Sequence, residues 1–189
     1  MADIEIKAHE ARGYGPRTYA NAAAGDVTIA VAADYSTAGE RLTRKAAGLR
    51  YLALPLRDDP VANARRLYRH LNDRGMADKV INVAGNGMHT LSRHGFTQGQ
   101  VDDYMHRLLA PVHEHLGIGR VISGGQTGID MAGAVAAARL DIPVGLLLPA
   151  GFRQRDSAGT DHEVTEAQVL SQIEEGVARL ASDRDMPDP

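Results

Sequence analysis

The 189-residue chain has no cysteine and no tryptophan. Without thiols it can form no disulfide, no iron–sulfur cluster and no thiol nucleophile; the redox compartment stays open, since a secreted protein need not carry cysteine. Aromatic residues make up 4% of the chain. So few rings suit helices packed closely on a sheet better than an aromatic-lined pocket, so a polar ligand is expected. No run approaches the roughly 20 apolar residues that cross a bilayer. Charge of one sign is also scarce: 21 basic against 24 acidic residues leave a formal charge of -3. That balance gives no global footprint for nucleic acid or an anionic membrane, and neither is an expected partner. The start, MADIEIKAHEARG, has acidic residues before any apolar run and lacks the hydrophobic core of a signal peptide, so a cytoplasmic location is expected.

What is present is an alternation of short β-branched runs with longer helical patterns, the mark of βαβ units around a parallel sheet. Strands are expected at Val27 to Ala33, Arg50 to Leu56, Lys79 to Gly85, Arg120 to Gly125 and Ile142 to Pro149, with a possible edge strand over residues 2 to 8. Helices are expected after DYSTAGE, from Asp59 with Pro60 at the first position, from Thr97 with Gln100 completing a capping box, after Gly128, and from Thr165 with Gln168. MHTLSRHGF is expected to form one or two helical turns, and Pro111 to kink or loosen its helix. GYGPRTYANAAAG is too rich in turn formers to assign. Residues 1–182 read as one domain and residues 183–189 as a disordered tail.

The segment VISGGQTGIDMAGAVAAARL carries the strongest signal. A strand ends, glycines permit a tight turn, and a helix of small residues begins at once. Free N–H groups at such a helix start, reinforced by the dipole, attract anions. Ser123, Gly124, Gly125, Gln126, Thr127 and Gly128 are therefore candidate ligand-binding residues. Asp130, a turn into the helix, would repel an adjacent phosphate but could accept hydrogen bonds from a ribose or base. The same glycines could instead serve close strand-to-helix packing, with Asp130 as a first-turn cap.

Ser123, Gly124, Gly128, Ile129 and Asp130 match a Ser-Gly-x-x-x-Gly-Ile-Asp pattern, and Gly124, Gly125 and Thr127 are similar to a Gly-Gly-x-Gly-Thr turn. With the following helix and IPVGLLLPAGFRQRDSAGTD, the span from Arg120 to Asp161 resembles the SLOG superfamily. That group contains the DNA-processing protein Smf and the LOG phosphoribohydrolases; the likeness is strongest to the circularly permuted YpsA-like branch, also labelled molybdenum carriers. The resemblance implies a three-layer α/β/α Rossmann-like domain with a mainly parallel sheet of about five strands plus the possible edge strand, and a nucleotide-derived ligand. The glutamate that LOG enzymes place after Gly-Thr is missing, since Gly128, Ile129 and Asp130 stand there, so LOG-type hydrolysis does not transfer directly.

Other strand ends add candidates at the same sheet edge. Asp34, Ser36, Thr37, Glu40 and Arg41 read either as an anion or ribose site or as ordinary helix capping. Gly85, Asn86 and Gly87 read as a ligand-facing turn or a plain surface turn. Arg153 and Arg155, in a long polar loop, could clamp a phosphate or pair with Asp156 and Asp161. The eight histidines show no metal-ligand spacing, so no metal and no cofactor is expected. The functional expectation is a nucleotide-binding protein, hydrolytic as an N-glycosidase with Glu40 or Asp130 as its catalytic carboxylate. The alternatives are a non-catalytic sensor or sequestering protein, or an oxyanion carrier. A homodimer or higher homo-oligomer is expected, with the helices Thr97 to Leu116 and Met131 to Leu140 as candidates for the contact.

Overall fold

The computed structural model describes residues 2–75 and 77–182; the expected tail, 183–189, lies outside the described residues. Six parallel strands, β1 (Ile4–Ala8), β2 (Val27–Ala32), β3 (Tyr51–Pro55), β4 (Lys79–Gly85), β5 (Ile118–Ser123) and β6 (Val144–Leu148), form one sheet in the order β1-β6-β5-β4-β2-β3. Parallel strands point all their carboxyl ends to one edge. β2 is buried at every position, which is why it reads as an unbroken apolar run with no alternation.

The described residues also form seven α-helices: α1 (Tyr14–Ala24), α2 (Ala38–Ala47), α3 (Pro60–Asn72), α4 (Met88–Arg93), α5 (Gln98–Leu116), α6 (Ile129–Arg139) and α7 (Glu166–Ser182). Two of them, α1 and α2, pack on each other; α3, α5, α6 and α7 form the opposite layer. The result is a three-layer, Rossmann-like α/β/α fold. Local chemistry sets the helix starts. Thr37 caps α2, Asp59 caps α3 with Pro60 following, and Thr97 with Gln100 forms a complete capping box on α5, which continues through Pro111. Between β6 and α7, a small antiparallel hairpin, β7 (Gln154–Arg155) and β8 (Asp161–His162), stands at the carboxyl edge.

Two expectations change. The unassigned GYGPRTYANAAAG forms α1, with Gly13 preceding it and Pro16 in its first turn, where a missing N–H costs nothing. α6, expected as a dimer contact, is buried from Ile129 to Ala137. Its alanines and Gly133 let it lie between α5, α7 and the sheet, where a Cβ on Gly133 would come 2.6 Å from Val83. Only its last turn, Ala138 to Leu140, is half-exposed.

Candidate functional site

The glycine turn between β5 and α6 stands at the carboxyl edge, as expected, but several of its amides already have partners within the protein. The Asp130 carboxylate accepts hydrogen bonds from the N–H groups of Gly124 and Gln126 and from Arg17 Nη1 at 3.1 Å. Gly125 N donates to Ser123 Oγ, whose own proton goes to the Asp130 carbonyl at 2.9 Å. Gly128, at φ +93°, a region few other residues adopt, donates to Gln98 Oε1 at 2.7 Å, and Ile129 N donates to the Asn86 carbonyl. The guanidinium of Arg17 rests on Gly124 so closely that a Cβ there would overlap it. Asp130 thus occupies the helix start as the protein's own anion, the position that the sequence assigns to a phosphate.

Above the turn lies the hairpin. Gln126 holds it through the Arg153 carbonyl at 2.6 Å and the Arg155 amide at 3.0 Å, Thr127 through the Arg155 carbonyl at 2.6 Å, and Gln154 returns a bond to the Gly125 carbonyl. Arg153 and Arg155 both pair with Asp161 at 2.8 Å. The two predicted readings of these arginines, clamp and surface pair, therefore meet in Arg155 alone: it is paired and also lines the adjoining cavity.

That cavity, of about 470 Å³, is a cleft between α1 and α2 above the end of β4. It gathers Thr37, Glu40, Gly85, Asn86 and Gly87 from the predicted set, with Gly124, Gln126 and Asp130 on its β5 side. Ser123, Gly125, Thr127 and Gly128 do not line it. Asp34, Ser36 and Arg41 lie outside it as a self-contained cluster: Asp34 Oδ1 accepts from the Ser36 amide and hydroxyl at 2.7 Å, and Arg41 donates to the Ser36 carbonyl. Asn86 acts as a brace; its Oδ1 accepts from the amides of Ala33 and Asp34 at 2.9 Å, and its Nδ2 donates to the Asp34 carbonyl.

The wall that sequence reasoning missed is α1. Tyr14, Arg17, Thr18 and Asn21 stand at i, i+3, i+4 and i+7, one face of a helix, and all four line the cleft. Tyr14 sits between two guanidinium groups, Arg17 at 5.7 Å and Arg155 at 5.5 Å from its ring centre, and donates its hydroxyl proton to Asp161 at 2.7 Å. Burial, then that bond to the carboxylate, pushes its phenol up to about 12. The same spacing in the sequence was the available signal; the turn formers around it concealed the helix.

Two buried acids face this cleft. Glu40, 3% exposed, has its Oε1 3.5 Å from Asn86 Nδ2, while its Oε2 has no partner. Burial, followed by the negative charges of Asp130 and Asp34, pushes its carboxyl up to about 8. Burial also raises Asp130, against the pull of Arg17 and the two amides. An arginine stays protonated in a protein, and a neutral Asp130 would strand that charge, so Asp130 is the ionised member and Glu40 the protonated one. Two further buried donors lack partners, Arg17 Nε and Asn21 Nδ2, both on α1.

No family model matches the chain, and no curated protein matches it. No helix among the described residues is long and apolar enough to cross a membrane.

Proposed function

We propose that the cleft binds a nucleotide or nucleotide-derived ligand and hydrolyses its N-glycosidic bond, with Glu40 as the general acid. The observation that carries this reading is Glu40 itself: a buried carboxyl, held neutral by its surroundings, with one oxygen unpartnered in the wall of the cleft. A carboxyl held neutral at pH 7 beside an ionised one is how a site divides acid and charge-bearing roles. As the C–N bond breaks, its electron pair passes to the base nitrogen, which takes the Glu40 proton. Water then bonds to the sugar carbon and returns a proton to Glu40. Positioned acids of this kind contribute about 100- to 10,000-fold. Asp130 anchors Arg17, keeping a cation in the cleft wall. The resemblance of Ser123 to Asp130 to the SLOG pattern supports a nucleotide-derived ligand over other polar molecules.

A second reading, a non-catalytic sensor or sequestering protein, is favoured by one feature. Asp130 is neutralised by Arg17, so the cleft keeps one free carboxyl where glycoside hydrolysis ordinarily uses two. The oxyanion-carrier reading loses its support, because Asp130 already fills the turn that would hold the oxyanion.

Incubation with nucleoside 5′-monophosphates and NAD, followed by assay of released base, separates the readings. Release is expected, falling about 100-fold or more in Glu40→Gln and declining as pH rises through about 8, where Glu40 loses its proton. Binding without release favours the sensor, and absence of binding removes both.

A further inference from the structure

The cleft has a mouth and a floor of different chemistry. α2 begins just after β2, at the carboxyl edge, so Thr37, Ala38 and Gly39 stand at the mouth, with Arg155 of the hairpin. α1 ends three residues before β2 begins, so its last turn, with Asn21, lies toward the amino edge. Asn82 is level with Thr28, the second residue of β2, and donates to its hydroxyl at 3.1 Å. Gly25, next after α1, lies directly against it, since a Cβ there would be 2.9 Å from Asn82 Cβ. Asn21 and Asn82 therefore form the floor with Thr43, which lies nearly two turns along α2 from Thr37.

The mouth suits an anion. The Ala38 and Gly39 amides belong to the first turn of a ten-residue helix and have no intrahelical carbonyl to meet. Nothing lies within 4 Å of a Cβ placed on Gly39. Here, unlike at the glycine turn, no carboxylate among the described residues accepts those amides; the Thr37 hydroxyl accepts the Glu40 N–H. The floor suits an uncharged acceptor. Asn21 is 6% exposed and its Nδ2 is unpartnered, a buried donor that costs stability unless something meets it. Glu40, on the first turn of α2, stands between the two ends.

From this arrangement we infer that the ligand enters base-first: a phosphate monoester rests on the first turn of α2 beside Arg155, and a hydrogen-bond acceptor of the base meets Asn21 at the floor. The inference rests on the nucleotide reading above and adds an orientation to it. It moves the phosphate from the glycine turn to α2 and makes Asn21 a specificity-determining residue. Glu40 then stands level with the ligand's middle, where the sugar joins the base.

Calorimetric titration of the full chain with ribonucleoside 5′-monophosphates, the matching nucleosides and ribose 5-phosphate tests it. Gly39→Asp places a carboxylate in open space in a helix first turn, where acids are favourable, so the fold tolerates it. It is expected to weaken every phosphorylated probe about tenfold or more and to leave nucleosides within twofold. Asn21→Ala is expected to weaken nucleosides and nucleotides alike, about tenfold, and to leave ribose 5-phosphate within twofold. Phosphorylated probes unaffected by Gly39→Asp, or nucleosides unaffected by Asn21→Ala, would overturn the orientation while nucleotide binding stood. Binding of no probe by the unaltered protein would overturn the nucleotide reading itself.

Discussion

Two helices start at the same sheet edge with a buried acid in the first turn, and they treat it oppositely. In α6, Asp130 is ionised; it accepts two backbone amides of its own turn and pairs with Arg17. In α2, burial pushes the Glu40 carboxyl up to about 8, and one of its oxygens is unpartnered. The glycine-rich turn, the more suggestive of the two in sequence, is the one that the protein fills with its own side chain. Glycines mark a place where something approaches the backbone closely, and at Gly124 that something is Arg17, from a helix more than a hundred residues earlier. The plainer turn keeps its helix start open to the cavity.

The contrast is sharpest in how stability responds to pH. Unfolded Glu40 loses its proton near 4.5, whereas folded Glu40 keeps it to about 8. Between those values the folded state binds the extra proton, so stability from this group is complete below pH 4.5, declines as pH rises, and levels off above 8. The slope is about 1.4 kcal/mol per pH unit, roughly 4–5 kcal/mol across the window. Urea denaturation of wild type and Glu40→Gln at pH 5, 6, 7 and 8 is expected to give a difference that grows in favour of the variant, since an amide has no proton to lose. A constant difference would mean that Glu40 is ionised in the fold, and the two helix starts would then be alike.

This contrast also shows what the sequence could and could not disclose. The five core strands were legible as short runs rich in apolar and β-branched residues, and the edge strand β1 as an alternating pattern; their ends differ from expectation by at most two residues. Caps at Asp59, Thr97 and Thr165 were equally legible, being local hydrogen bonds within four residues, whereas the cap at Thr37 stood in the sequence beside a ligand-site reading of the same residues. α1 was not, because the face it turns to the cleft is polar and leaves few positions for an apolar stripe. With α1 hidden, so were Arg17 and Asn21. The ionisation states of Asp130 and Glu40 were beyond reach for the same reason: each depends on partners distant in the chain, Arg17 for one and burial under α1 for the other.

Removing the internal anion gives the next largest effect. Asp130→Asn leaves the Arg17 charge buried and two amides facing a neutral group, and is expected to cost about 3 kcal/mol in chemical denaturation. Pairing it with Arg17→Met removes the stranded charge as well, and the double variant is expected to recover more than half of that loss. If Asp130→Asn costs under about 1 kcal/mol, the pair behaves as a solvated one and the glycine turn is open after all.

The smallest effect compares the two turns at single glycines. Gly124→Ala puts a methyl group onto the Arg17 guanidinium and 2.5 Å from Asp130 Oδ2. The guanidinium could swing aside only by abandoning its carboxylate, so a loss of about 2 kcal/mol is expected, as for overpacking elsewhere. Gly39→Ala meets nothing within 4 Å inside a helix, where alanine is the better former, and a gain of about 0.5–1 kcal/mol is expected. Opposite signs in thermal or urea denaturation follow from a filled turn at α6 and an open one at α2. Equal losses at both positions would mean that α2 is as crowded as α6, leaving no room for a ligand at the mouth of the cleft.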